Sequence, residues 1–238
     1  MILKNWESLP AEFQTEAIRP YYDILKKKTA SLVLKRVFDV VVSGLMLLIL
    51  SPVFLLLAIA IKLDSPGPVF YRQVRVTQYG KKFRIFKFRS MVSNADKIGT
   101  QVTVGNDSRI TRMGKLIRKC RLDEISQLID VFRGTMTFVG TRPEVPKYVE
   151  AYTEEMMATL LLPAGVTSEA SILYKDEDRL LSSASDADTI YVHEVLPGKM
   201  KFNLQAIRSF SFWADIRTMF RTVFAVLGKD YSEEQIHS

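Results

Sequence analysis

Residues 37–61 read VFDVVVSGLMLLILSPVFLLLAIAI, 25 residues from Val37 to Ile61 whose one charge, Asp39, stands beside the Arg36 end. A run this apolar on every face does not form a surface helix; it belongs in a core or in lipid. As a straight helix it would reach about 37 Å, enough for a hydrocarbon layer of about 30 Å. Two features turn the reading from a simple crossing to a re-entrant hairpin. Ser51-Pro52 falls near the middle, where proline removes a backbone hydrogen bond and its ring clashes with the carbonyl of Leu48. Each arm is then about 14 residues or fewer, roughly 20 Å, which is short for a crossing. Basic residues also flank both ends, with Lys26, Lys27, Lys28, Lys35 and Arg36 before and Lys62, Arg72 and Arg75 after, which favours both ends on the cytoplasmic side. A kinked spanning helix is the alternative, since neighbouring groups can re-satisfy a proline break in a membrane. The late start, the length and the lack of a small-residue cleavage site argue against a cleaved signal peptide.

The 238 residues leave room for one further domain. The expected division is a helical preface over 1–35, the hairpin over 36–62 broken at Ser51-Pro52, and a cytoplasmic domain over 63–238 with interfacial helices. The net charge of +7 hides an asymmetry, because Lys62 to Arg121 carries 15 Lys and Arg against three Asp and Glu. Such a block fits anionic lipid, phosphorylated substrates or nucleic acid. The membrane segment favours the first two, and no nucleic-acid motif accompanies the block. The plain alternative is a solvated basic face that keeps the chain on the bilayer. Cys120 is alone, which excludes an intramolecular disulfide and fits a reducing compartment. It shares helical spacing with Ile110, Met113, Leu116 and Ile117 and is expected in the core. With only His193 and His237 beside it, a zinc site has little support.

Along the chain, Ser8 can cap a helix with Pro10 in its first turn, and Tyr21 to Leu34 can form a second helix after a break at Pro20. This preface either lies on the membrane or covers the domain. Asp64-Ser65-Pro66-Gly67-Pro68 forces a turn before two β-rich runs, Val69 to Val76 and Phe83 to Met91, with Thr77 to Lys82 closing a hairpin. In the second run Phe83, Ile85, Lys87 and Arg89 alternate with Arg84, Phe86, Phe88 and Ser90, and such mixed faces suit a substrate-lining or membrane-contacting strand. Asn106-Asp107-Ser108 offers caps for a helix ending near Arg121. Asp176-Glu177-Asp178 reads as a charged loop, and Met200 to Leu227 as helical with an aromatic, interfacial face. The fold class is therefore α/β (α+β): a mainly helical single domain with a small β-hairpin, anchored by the re-entrant helix-break-helix.

Leu122, Ile125, Leu128, Ile129 and Phe132 make a second apolar stripe with Asp123, Glu124, Gln127 and Asp130 off it. The Asp123-Glu124 pair thus opens a packed helix, where the helix N-terminus and nearby Arg118 and Arg121 favour the carboxylate form. An ionised Asp can attack phosphorus or bind magnesium, and a divalent cation shared with a diphosphate relieves the repulsion between two adjacent anions. Adjacent residues point differently on a helix, so the two roles differ. Acidic residues in a first turn are also ordinary dipole-compensating choices. A second element, Val139-Gly140-Thr141-Arg142-Pro143-Glu144, combines a tight turn with a guanidinium that matches phosphate oxygens; a structural loop with an exposed arginine fits the same composition.

Taken together, the chain from about Lys35 to Val223 resembles the bacterial sugar transferases, monotopic phosphoglycosyl transferases that act on polyprenol phosphate. The resemblance is carried by Lys35-Arg36-Val37-Phe38-Asp39, Ser51-Pro52, Gly67-Pro68-Val69-Phe70-Tyr71-Arg72-Gln73, and Lys87-Phe88-Arg89-Ser90-Met91. It continues through Arg109-Ile110-Thr111-Arg112 with Gly114, Leu122-Asp123-Glu124 with Gln127-Leu128, and Gly140, Arg142, Pro143 and Glu144. The order and spacing of these pieces make it specific. The chain departs from the family pattern at Ser126 and Thr141, where proline is usual, at Thr135, where aspartate is usual, and at Ser168 and Ser171, where glycine and glutamine are usual.

The resemblance implies transfer of a sugar phosphate from a UDP-sugar to polyprenol (undecaprenyl) phosphate with release of UMP, the first membrane step of bacterial glycan assembly at the cytoplasmic face of the inner membrane. It implies Asp123 as nucleophile and magnesium ligand, Glu124 as the group that positions or deprotonates the lipid phosphate, and Mg2+ as cofactor. Arg118, Arg142, Lys87 and Arg89 are the candidate phosphate contacts. The partners are the UDP-sugar, polyprenol phosphate and membrane lipids, with no nucleic acid and a homo-oligomer left open. The competing readings are a non-catalytic membrane tether for glycan-assembly partners and a phosphodiesterase that passes the phosphosugar to water. The sugar and the pathway stay open.

Overall fold

A computed structural model describes residues 3–93, 95, 107–174 and 187–231; Asn106, Asp176-Glu177-Asp178 and His237 lie outside the described residues. The described chain is mostly helical. Its strands form three two-stranded sheets, of which the parallel pair was not foreseen.

The long apolar run forms α2 (Thr29–Ile49) and α3 (Ser51–Asp64), bent by 60° at the break. Pro52 occupies the first turn of α3, where its missing N–H costs nothing. The Leu48 carbonyl that it cannot satisfy accepts instead from the Ser51 hydroxyl at 2.8 Å, so the Ser-Pro pair both makes the bend and seals it. No single described helix is long and apolar enough to cross a membrane.

The start of α2 is not lipid-facing. Leu32, Lys35, Asp39 and Ser43 recur at helical spacing and are buried against the domain. Lys35 donates to the Val139 carbonyl at 2.7 Å and pairs with Asp215, while Asp39 accepts from the Thr137 hydroxyl at 2.7 Å and the Phe138 N–H at 3.2 Å. Arg36 donates to the carbonyls of Val131 and Phe132 at the C-terminus of α5 (Leu128–Arg133), a favourable place for a cation. Beyond Ser43 the character changes: Leu45, Leu48, Ile49, Leu55, Leu56, Ile59 and Leu63 are each half or more exposed, far more contiguous apolar surface than water tolerates.

The preface forms two 3-10 turns, Trp6–Ser8 and Ala11–Phe13, and then α1 (Arg19–Lys27). Ser8 ends a turn rather than capping a helix, and the expected Tyr21–Leu34 helix divides at Lys28, with Leu32 of the second half in the same core as Leu25 of the first. Tyr21, Tyr22 and Leu25 join Leu3, Leu9, Phe13 and Ile18 in a core with Leu160, Leu161, Leu204, Ile207 and Phe210. The preface covers the domain.

The β-rich runs give β1 (Phe70–Tyr71), β2 (Val74–Val76), β3 (Lys82–Arg84) and β4 (Lys87–Phe88), with β2 pairing β3 and β1 pairing β4, both antiparallel. A 3-10 turn at Gln78–Gly80 closes the hairpin. Helix α4 (Arg112–Lys119) is capped by Thr111, whose hydroxyl accepts from Gly114 N at 3.0 Å; the expected cap residue Asp107 instead accepts from the Arg109 side chain. Gly114 is required by proximity, since a Cβ there would lie 1.9 Å from the Ser90 carbonyl oxygen. Cys120 is exposed. Of the residues that share its spacing Ile117 is buried but Leu116 is also exposed, and Cys120 is the C-cap of α4, after which Arg121 takes a left-handed conformation (φ 51°) and turns the chain away.

The remaining elements are β5 (Met136–Val139), α6 (Pro146–Val149), α7 (Glu154–Met157), β6 (Ala164–Thr167) and α8 (Glu169–Leu173). Then α9 (Ala187–Ile190) runs through a π-helical stretch, Tyr191–Val195, into α10 (Leu196–Arg208), followed by α11 (Phe212–Val226). The expected single late helix is thus two, with Ser211 capping the second through Ala214 N at 3.1 Å. Strands β5 and β6 pair in parallel beneath α2 and α11. Trp213, Phe220, Val223, Phe224 and Leu227 of the α11 region are half or more exposed.

Candidate active site

The left-handed Arg121 makes Asp123 and Glu124 open a new turn rather than continue α4. That turn is a 3-10 stretch, Leu122–Gln127, leading into α5; the expected single α-helix starts only at Leu128. Its position is fixed from two sides. The Ser126 hydroxyl donates to the Phe86 carbonyl at 3.0 Å, and the Phe86 N–H donates to Asp130 at 2.8 Å, so the turn is pinned to the chain entering β4. Leu122 and Ile125, on either side of the carboxylates, pack with Phe54, Leu57 and Ile61 of α3 and with Phe88 and Ile117. The residues that flank the acidic pair thus share a cluster with the apolar hairpin.

The two carboxylates have different surroundings. Glu124 Oε1 accepts from Lys87 Nζ at 3.0 Å, and Arg142 places one guanidinium N–H on each carboxylate oxygen. Burial alone works to raise the Glu124 pKa, but Arg142 and Lys87 more than offset it and hold the group well below the usual carboxylate range. Asp123 has no side-chain hydrogen-bond partner among the described residues. Burial pushes its carboxyl upward, Lys87 pulls it down, and the charge on Glu124 raises it further. The expected effect of a helix start and nearby arginines on Asp123 is thus outweighed by desolvation; Arg118 acts only as a weaker opposing charge. Burial also lowers the Lys87 pKa, against the Glu124 charge that raises it.

Arg142 is carried by a loop with little freedom. Upstream, Gly140 N donates to Thr167 O at 2.9 Å and Gly165 N to Thr141 O at 2.8 Å. This crossing is possible because a Cβ on Gly165 would lie 2.2 Å from Gly140 N and O. Downstream, Val76 N donates to Glu144 O at 2.9 Å and Arg75 to Pro143 O at 3.0 Å. The Glu144 carboxylate accepts from the Tyr191 hydroxyl at 2.5 Å with Lys199 3.7 Å away.

Of the residues picked from sequence, Asp123, Glu124, Lys87 and Arg142 are brought together, and Arg118 stands close enough to act on Asp123 electrostatically. Arg89 is not part of this cluster. It is buried and donates to Ile61 O at 3.2 Å and to Ser65 O at 2.6 Å, where it holds the end of α3. The mixed faces of the Phe83–Met91 run did not distinguish these fates, because the run is interrupted at Ile85-Phe86 and Lys87 and Arg89 diverge. Ser168 and Ser171 lie at the cap of α8, where Ser168 Oγ accepts from Ser171 N at 3.0 Å. Arg75, Tyr191 and Lys199 were missed. Arg75 read only as a flanking charge, and no local pattern joins it to a loop 68 positions away.

Among the described residues no group of three His, Cys, Asp or Glu side chains could hold a metal unaided. The donor set that is present, one carboxylate without a cationic clamp beside a phosphate-sized cluster of cations, is the kind used by magnesium, which takes one or two carboxylates and completes its shell with substrate phosphates and water. The residues present are compatible with that ion, and Asp123 is the carboxylate that would hold it.

The sequence pattern of a family described as bacterial sugar transferase matches residues 30–229. The chain is 34% identical over 197 residues to a UDP-N-acetylgalactosamine-undecaprenyl-phosphate N-acetylgalactosaminephosphotransferase of Aeromonas hydrophila, covering 82% of this chain and 44% of that protein. It is 39% identical over 195 residues to a UDP-glucose:undecaprenyl-phosphate glucose-1-phosphate transferase of Escherichia coli K12, covering 80% and 39%. It is 32% identical over 218 residues to an undecaprenyl-phosphate galactose phosphotransferase of Salmonella typhimurium, covering 85% and 42%. The chain spans about two fifths of the length of these relatives.

Proposed function

Because the chain belongs to the bacterial sugar transferase family, we propose that it moves a sugar-1-phosphate from a UDP-sugar to undecaprenyl phosphate and releases UMP. The observation that carries this reading is the unequal pair: Asp123 without a hydrogen-bonded side-chain partner among the described residues, next to Glu124 clamped by Lys87 and Arg142.

In the first half-reaction an Asp123 oxygen attacks the sugar-bearing phosphorus. The bond from that phosphorus to the bridging oxygen breaks, and UMP leaves with the electron pair. In the second, an oxygen of the lipid phosphate attacks the same phosphorus, the bond to Asp123 breaks, and the carboxylate is restored. The partial desolvation of Asp123 suits a nucleophile, which reacts better with less hydration to shed. Glu124 holds Arg142 and Lys87 at one point in front of it, and these cations face charge that develops on the transferring phosphoryl group. Its lowered pKa makes it a poor base in this arrangement, so its role is positioning of the cations and of the lipid phosphate. Arg118 adds a fixed charge at the Asp123 side. Magnesium, when bound, would neutralise the diphosphate and help UMP to leave, with Asp123 as its ligand.

The bent helix pair is read as re-entrant. What supports this is that both of its ends are tied to one folded body: α2 through Lys35, Arg36 and Asp39, and α3 through Asp64, which accepts from Met113 N at 3.0 Å, and the Arg89 bonds to Ile61 and Ser65. Ends fixed on one body stay on one side of a bilayer. The placement proposed is the cytoplasmic face of the bacterial inner membrane, where the apolar tip of the hairpin and the exposed face of α11 enter lipid and Asp123 sits at headgroup depth. A polyprenyl tail then never has to leave the bilayer.

The test is UMP release from UDP-glucose, UDP-galactose and UDP-N-acetylgalactosamine with magnesium and undecaprenyl phosphate, for the native chain and Asp123→Asn. Multiple-turnover release that needs the lipid and vanishes in the variant is expected, with no more than one equivalent of UMP per chain released without lipid and a phosphosugar adduct on Asp123 then detected by mass spectrometry. Lipid-independent multiple turnover would favour a phosphodiesterase, and indifference to the substitution a tether.

A further inference from the structure

We infer that Arg75 is a positioning residue of the transfer reaction, setting Arg142 against Glu124 through the backbone of the intervening loop; this rests on the reading of Arg142 given above. Arg75 lies on β2 between Val74 and Val76, with Val76 buried in the core. Its guanidinium is held from behind: Nε and Nη2 both donate to Gln73 Oε1, at 3.1 and 2.7 Å. That leaves Nη1 aimed forward, and it donates to the Pro143 carbonyl at 3.0 Å. The next backbone N–H, that of Val76, donates to the next carbonyl of the loop, Glu144 O, at 2.9 Å. One strand therefore grips two consecutive carbonyls immediately after Arg142.

The other side of Arg142 is gripped by β6, through Gly165 N on Thr141 O. Arg142 is the residue left between the two grips, and its side chain spans to Glu124. A two-oxygen fork of this kind is demanding in angle as well as distance, and the loop is not a regular element that would fix it. The Val76 contact is a backbone bond that any residue at that position retains, so Arg75 is the side chain on which the downstream grip depends. Glu144 reinforces the same stretch through Tyr191, but from its carboxylate rather than its backbone. Three of the five guanidinium N–H groups of Arg75 are thereby engaged, with Gln73 and Pro143.

An arginine that merely satisfies a loop carbonyl would show itself in stability. A positioning arginine shows itself in turnover and loses its effect once Arg142 is gone. The experiment measures kcat, KM and thermal midpoint for UMP release from the UDP-sugar that the native chain uses, with magnesium and undecaprenyl phosphate, in Arg75→Met, Arg75→Lys, Arg142→Met and the Arg75→Met/Arg142→Met double variant. Assays run well below every midpoint, so folded fractions are equal. The expected loss in kcat for Arg75→Met is roughly 10- to 100-fold, the range of a small misplacement of a catalytic group. Arg75→Lys, which can still reach Pro143 O, recovers part of it, and Arg75→Met adds less than about twofold in the Arg142→Met background, the mark of two residues acting as one unit. A lowered midpoint with native kcat, or equal losses in both backgrounds, overturns the inference while leaving the transferase reading intact. Native turnover in Arg142→Met removes the role given to Arg142, and the inference with it, and also leaves the transferase reading intact.

Discussion

Replacing Glu124 by Gln is expected to make the protein bind UDP more tightly even as it loses turnover. Arg142 donates from both terminal nitrogens to Glu124, and Lys87 adds a third contact at 3.0 Å. A diphosphate that enters competes with Glu124 for these cations, so part of its binding energy goes into weakening the clamp. Hydrogen bonds to charged groups contribute about 1.5–3 kcal/mol. The Glu124 side chain is 21% and Arg142 33% exposed, so the lower end applies after allowance for solvent screening, about 1.5 kcal/mol or roughly tenfold in Kd. Loss of a negative charge near an anion also tightens binding, whether or not Arg142 is released. A double-mutant cycle separates the two. Calorimetry with UDP at fixed magnesium on the native chain, Glu124→Gln, Arg142→Met and the pair should show Arg142→Met weakening binding by less than about threefold in the native background but by about tenfold or more in the Glu124→Gln background, a coupling typical of residues in contact. An Arg142→Met effect of equal size in both backgrounds would refute the exchange of partners.

Three further outcomes follow from the structure. Arg89→Met removes the bonds to Ile61 O and Ser65 O and should cost about 2–3 kcal/mol of stability, seen as a midpoint lower by about 5–10 °C in detergent with the KM for donor unchanged; a tenfold rise in KM at an unchanged midpoint would return Arg89 to the phosphate site. Gly114→Ala drives a methyl to 1.9 Å from the Ser90 carbonyl, with backbone on both sides, and should cost about 3 kcal/mol or more; a thermal midpoint within about two degrees of native would show that α4 shifts freely. In a Trp6→Phe background, Trp213, 75% exposed in the α11 region, should blue-shift and become quenchable by shallow lipid-borne quenchers on addition of anionic vesicles. An unshifted spectrum with vesicle-bound protein would place α11 away from the interface.

What was legible in the sequence is what sits on one element or at one break. The apolar arms, the Ser-Pro bend, the hairpin between Val76 and Lys82 and the stripe through Leu122, Ile125 and Leu128 all carry their signal within a few residues. The pairing of β5 with β6 did not, because Met136–Val139 and Ala164–Thr167 are short, lack a clear alternation and are separated by 24 residues of other structure. The same holds at the site. Glu124 lies 37 positions from Lys87 and 18 from Arg142, and the grip of Arg75 on Pro143 joins a strand to a loop with no shared motif. Lys87 and Arg89, two apart on one run, looked alike, yet one reaches the carboxylates and the other the end of α3.

The local reading erred most instructively on charge. A helix start flanked by arginines argues for the carboxylate form of both Asp123 and Glu124, and that argument uses only neighbours in sequence. The fold separates them. The side chains that flank the pair, Leu122 and Ile125, are drawn into the cluster formed with Phe54, Leu57 and Ile61, which seats both carboxylates in a partly dry position. Desolvation then acts on each, but Arg142 and Lys87 hydrogen-bond Glu124, while Lys87 acts on Asp123 through its charge without a hydrogen bond. A buried carboxylate with a bidentate arginine is held as an anion, while its neighbour is left desolvated and without such a partner. The division of labour between two adjacent acids thus comes from where the apolar hairpin puts them and from which one the distant cations reach, and neither fact is written within about ten residues of the pair.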